Sequence, residues 1–138
     1  EWEYAARGAE ARKYPWGNGE PSDQLCWKST QGTCAVASQP TGASPFGVED
    51  LSATIWQWTN EFYDQHNRRA LVRGGSYYRP KTAIWYFPHT ADQAEKGDHY
   101  LPNQLSEHGN YLLMAPGLDR AATIGFRCVK DHGPNSRR

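Results

Sequence analysis

The apolar triplet Ala70, Leu71 and Val72 runs into two adjacent glycines, Gly74 and Gly75, in RALVRGGSYY (residues 69–78). An apolar run that ends at glycines reads as a buried strand finishing in a bulge or in a close approach to another segment, since only glycine lacks the Cβ that blocks both. No other stretch constrains the fold as firmly. In AATIGFRCVKD (121–131), Ile124, Phe126 and Cys128 alternate against Thr123, Arg127 and Lys130, which predicts a second strand. EWEYAARG, at the start, spaces Trp2 and Ala5 or Ala6 helically and meets a stop at Gly8. LSATIWQWTNEFY (51–63) fits two patterns: Ile55, Trp58 and Phe62 lie on a helical stripe, whereas Trp56 and Trp58 alternate as in a strand. A short strand-like or irregular segment is the favoured reading. Residues 12–24 and 38–50 are rich in Pro, Gly, Asn, Asp and Ser and read as structured loops. Between the two expected strands lie about forty residues with little periodicity, a length that in a compact domain signals a functional loop. Its aromatic content argues against disorder.

A chain of 138 residues suffices for one domain with its own core, so residues 1–138 are read as a single domain. Fifteen Lys plus Arg balance fifteen Asp plus Glu, and the charges do not separate into blocks, so charge implies neither a nucleic-acid nor a membrane partner. There is no apolar run long enough to span a bilayer and no export signal at the start. Six Trp, eight Tyr and four Phe in a chain only 38% hydrophobic imply a core built from rings more than from aliphatic layers. The opening residues resemble the inside of an element, so the chain is expected to be the C-terminal portion of a larger domain or of a cleaved protein, with its own N-terminal segment as one partner. Of the three cysteines, Cys26 and Cys34 enclose a short polar loop, WKSTQGT, and a bridge between them is preferred over two independent thiols, with both open. A bridge would lean toward an extracytoplasmic location.

Five separated pieces, EWEYAARG, YPWGN, SPFGVEDLSATIWQWT, VRGGSY and IGFRCV, occur in an order and spacing that resemble the formylglycine-generating enzyme, or sulfatase-modifying factor, family across nearly the whole chain. The resemblance implies an α+β fold similar to C-type lectins, with a small antiparallel sheet and long irregular loops on one face. Active members resemble copper-dependent oxidases that convert a cysteine of a sulfatase peptide to formylglycine. Their metal is implied to sit on two thiolates after the Gly-Gly-Ser-aromatic piece, and soft Cu(I) suits such ligands. Ser76 and Tyr77 match that piece, but Arg79 and Ile84 occupy the two cysteine positions, so the resemblance implies no copper in this chain. Family members also commonly read GN before VWEW, whose Asn and Glu resemble calcium ligands. Ala53, Thr54 and Gln57 stand there, which weakens or removes calcium binding and leaves this stretch, with Trp56 or Trp58, as core. Cys128 matches a family cysteine that in some members pairs with one upstream of EWEYAARG, and within this chain it is expected as a buried free thiol.

Other chemistry is sparse. His89, His99 and His108 share the long segment with Asp92, Asp98 and Glu107, but their spacing defines no metal geometry, and Ser76 sits in no nucleophile elbow. The segment's mixture of rings and adaptable polar groups is that of a recognition surface. The expected ligand-binding residues are Tyr77, Tyr78, Arg79, Tyr86, His89, His99, Tyr100, His108, Tyr111 and Arg120, facing a protein, a peptide or a small ligand. Trp85 and Phe87 are expected inside. The leading expectation is thus a non-catalytic binding module of the family; a related possibility is a variable protein of diversity-generating retroelements, which resemble this family. The alternatives are an oxidase-related enzyme domain, formylglycine-generating or sulfoxide-synthase-like, and a structural assembly component.

Overall fold

A computed structural model of the chain describes residues 1–22, 25–26, 32–64, 66, 68–77, 105–106, 108–112 and 122–130. A short helix, α1 (Trp2–Arg7), passes into a 3-10 turn (Gly8–Glu10), and a second 3-10 turn spans Pro40–Gly42. Four strands follow: β1 (Trp56–Asp64), β2 (Arg69–Arg73), β3 (His108–Leu112) and β4 (Ile124–Gly125). They form one sheet in the order β3-β2-β1-β4. The β1–β2 and β2–β3 pairs are antiparallel, whereas β4 runs parallel to β1. The sheet is therefore mixed, which corrects the expected antiparallel one, and with so little helix among the described residues the architecture is α+β.

The place of β2 explains its sequence. It lies between β1 and β3, and Ala70, Leu71 and Val72 are all buried, so a continuous apolar run replaces the alternation of a one-sided strand. In β1 both Trp56 and Gln57 are buried at the N-terminal end, and the far end, past register shifts at Phe62, is mostly exposed. Outside the sheet, Ala6 of α1 is buried together with Leu51 and Leu105, with Trp2 and Val48 packed against them. Fully burying a leucine side chain contributes about 1.5–3 kcal/mol. A six-residue helix is far below the length at which an isolated helix persists, so α1 depends on this packing. It ends at Gly8, whose φ of 64° suits glycine.

Gly74 meets both demands expected of the glycine pair. Its φ is 95°, and a Cβ added there would lie 2.5 Å from the Leu51 carbonyl oxygen and 3.3 Å from the Trp2 ring. Its own carbonyl accepts the Ala53 N–H at 2.8 Å, so the end of β2 is pinned against the turn before β1. The loop at 38–50 is held by Ser44, whose buried hydroxyl accepts the N–H groups of Phe46 and Val48. At residues 14–17 the rings of Tyr14 and Trp16 stack at 4.7 Å within a tight turn. Cys26 and Cys34 form a disulfide with Cα atoms 5.9 Å apart, the preferred of the two sequence readings.

The structure departs from expectation in two further places. The alternation after Thr123 supports a strand of only two residues: β1 offers partners to Ile124 and Gly125 alone, and the chain then leaves the sheet. Phe126 and Val129 are consequently exposed, and so is Cys128, a free thiol on the surface where a buried one was expected. Conversely, HGNYL (108–112) forms β3 within the segment read as loop. His, Gly and Asn are poor strand formers, and pairing with the buried edge of β2 overrides their propensity.

Replacing Gly74 by Ala should cost about 1–3 kcal/mol from the positive φ alone, with the contact to Leu51 adding to it. Gly19→Ala, where an added Cβ meets nothing within 4 Å, should be near neutral. Urea unfolding of both variants checks this, and equal stabilities would contradict the close approach.

Candidate functional site

Gln57 is a polar residue between two tryptophans on β1 and is only 3% exposed. A buried amide requires partners, and it has three. Its Oε1 accepts the Trp2 indole N–H at 2.8 Å and the Arg127 Nε–H at 3.3 Å, while its Nε2 donates to the Asp50 carbonyl at 2.9 Å. Arg127 also donates from Nη2 to the Glu49 carbonyl at 2.7 Å. The helix, the turn before β1 and the segment after β4 thus converge on one side chain. Around this point lies a cleft of about 310 Å³, with Asp50, Gln57 and Arg127 as polar lining and Val36, Ile55 and Phe126 as apolar lining. Asp50 Oδ2 accepts the Ala37 N–H at 2.9 Å, which ties the opposite wall to the turn. Ala37, Asp50 and Ala53 all have positive φ, a conformation that non-glycine residues adopt at a cost. Three such residues close together show a turn held by its surroundings.

The implied calcium ligation does not fit this arrangement. Gln57 Oε1 is already taken by two donors, one of them a guanidinium, and the Thr54 hydroxyl donates to the Ser52 carbonyl at 3.5 Å. Two unit charges 4 Å apart interact by about 1 kcal/mol even in water, and a divalent ion beside Arg127 would meet twice that repulsion. Glu49 Oε2 and Ser52 Oγ are buried without hydrogen-bond partners. They supply two oxygens, against the six to eight that calcium takes. Among the described residues no three His, Cys, Asp or Glu side chains gather as a metal site.

Most residues expected to bind a ligand, Tyr78, Arg79, Tyr86, His89, His99, Tyr100 and Arg120, lie outside the described residues, as do Asp92, Asp98, Glu107 and Ile84. Tyr77 is half-buried, and its N–H donates to the Thr54 carbonyl at 3.3 Å. His108 and Tyr111 stand on β3, opposite Arg73 and Ala70 of β2. Ser76 is buried. The sequence reading missed the cleft, although a polar residue between two tryptophans in a buried strand was its available signal.

The sulfatase-modifying factor enzyme 1-like domain model matches residues 1–132. The chain is 30% identical over 146 residues to the formylglycine-generating enzyme of Mycobacterium tuberculosis, covering 95% of this chain and 49% of that protein. It is 35% identical over 150 residues to the inactive C-alpha-formylglycine-generating enzyme 2 of Bos taurus, covering 96% and 42%. To the hercynine oxygenase of Mycobacterium tuberculosis it is 37% identical over 118 residues, covering 64% and 28%. The chain therefore spans half or less of the length of these relatives.

Gln57→Leu keeps the volume but strands the Trp2 N–H and the Asp50 carbonyl, and each buried group left unpaired costs about 1–3 kcal/mol. The expected loss of about 2–5 kcal/mol is readable by denaturant unfolding followed through tryptophan fluorescence. A change below about 0.5 kcal/mol, the range of an ordinary surface substitution, would place Gln57 outside the framework.

Proposed function

The chain belongs to the sulfatase-modifying factor family, and from that premise we propose that it is a non-catalytic member, a recognition domain on a C-type-lectin-like scaffold. One observation carries the reading. The family's copper chemistry is implied to need a pair of thiolates. Of this chain's three cysteines, two are joined to each other and the third is alone on the surface. One free thiol cannot make a dithiolate site, and Arg79 and Ile84 at the expected positions supply neither thiolate nor imidazole. Likeness to an inactive formylglycine-generating enzyme 2 at an identity comparable to that with an active enzyme agrees with this.

The recognition role is assigned to residues 77–118 and Arg120. The strands β2 and β4 flank this segment and β3 interrupts it, so a sheet anchors it in the chain while its composition remains free to vary. Tyr78, Arg79, Tyr86, His89, His99, Tyr100, His108 and Tyr111 offer rigid rings and adaptable polar groups to a protein, peptide or small ligand. Zero net charge gives no reason to add a nucleic acid or a membrane. The competing reading, an oxidase-related enzyme, has the active relatives in its favour and requires a different metal set from the one the family implies.

Purified under non-reducing conditions and exposed to Cu(I), the chain is expected to retain less than stoichiometric copper. It should also leave the cysteine of a sulfatase-derived peptide unmodified by mass spectrometry. Conversion of that cysteine to formylglycine would overturn the proposal. Replacing Tyr78, Tyr100 and Tyr111 together by Ala is expected to shift stability by no more than about 0.5 kcal/mol per site, as at a surface. Unfolding of that variant would show the rings to be core.

A further inference from the structure

We propose that the cleft at the N-terminal end of β1 is a binding site for a small zwitterion, an α-amino acid with an apolar side chain. None of its lining residues belongs to the 77–118 segment to which recognition is assigned above.

Two opposite charges, Asp50 and Arg127, line one cleft, and no ion pair joins either of them to a described residue. The Arg127 guanidinium is held by the Gln57 amide oxygen and the Glu49 carbonyl, both neutral, so it is oriented without an ion-pair partner among the described residues. Its planar fork is pre-organised for a carboxylate. Asp50, in the same lining, uses Oδ2 to accept a backbone N–H from Ala37, which fixes the carboxylate without neutralising it. An α-carboxylate placed on Arg127 and an ammonium placed on Asp50 satisfy both poles. The remaining walls suit an aliphatic side chain: Val36 is 89% and Phe126 77% exposed, and Ile55 lies beside them. A ligand seated there would cover these apolar side chains, and about 310 Å³ lies at the small end of ligand pockets. Cys34, bonded to Cys26, also lines the cleft and restrains the wall that carries Val36.

Calorimetric titration of the whole chain with L-leucine, N-acetyl-L-leucine and L-leucinamide separates the two poles. The first derivative lacks the ammonium and the second the carboxylate. L-Leucine is expected to bind at least tenfold more tightly than either derivative. Asp50→Asn should weaken L-leucine at least tenfold and leave N-acetyl-L-leucine unchanged, and Arg127→Gln should do the same with L-leucinamide as the unaffected ligand. Because Arg127→Gln also loosens the Glu49 turn, the three ligands on the unaltered chain decide the matter if that variant fails to fold. Absence of saturable L-leucine binding at millimolar concentrations would overturn the proposal. Equal affinity for all three ligands, which would mean apolar contact alone, would do so as well.

Discussion

The helix, the turn before β1 and the segment after β4 are tied together through the side-chain amide of Gln57. It takes the indole N–H of the helix, gives a hydrogen to the turn before its own strand, and takes a second hydrogen from the segment that follows the last strand. None of these pieces stands alone, since the helix has six residues and the last strand two. Each hydrogen bond is worth only about 1 kcal/mol net, but leaving any of these buried groups unpaired costs more. Gly74 makes the arrangement sterically feasible: its missing Cβ lets the end of β2 lie against Leu51, Trp2 and Gln57 at once. The polar hub and the glycine form one constraint, because a side chain at Gly74 would push on both the helix and the amide.

The parts of the fold legible in the sequence were those where local pattern and tertiary demand agree. The triplet 70–72 is apolar because it is central, the glycines that follow are needed for close approach, and Gly8 ends the helix through its own backbone freedom. The parts that were not legible depend on partners far away in sequence. HGNYL becomes a strand because β2 has an edge to fill, and the alternation of 124–128 comes to little because β1 has room for only two residues. Burial of Cys128 was inferred from that alternation and failed with it. At the site, Gln57 was visible as a missing carboxylate, but its role as a shared acceptor, and the cleft between Asp50 and Arg127, arise only when residues about seventy positions apart meet.

On the proposed reading, this chain keeps the family scaffold without the family chemistry. Motifs that build the framework, the tryptophan of the first helix, the strand tryptophans and the glycine pair, are present and occupy structural positions. The positions implied to hold metals carry Arg79, Ile84 and Gln57, none of them a match for the ion expected. A fold hosts chemistry through its site residues and survives their exchange. On that reading, what remains is a frame with a ring-rich segment and a charged cleft, the two places to which recognition is proposed.

The state of the cysteines is where this account is most exposed, because a dithiolate centre and a structural disulfide exclude each other in a chain with three cysteines. Thiol titration of the non-reduced protein, in denaturant and without reductant, measures it directly. The account predicts one reacting thiol, Cys128, rising to three after reduction. Three reacting thiols before any reduction would contradict it.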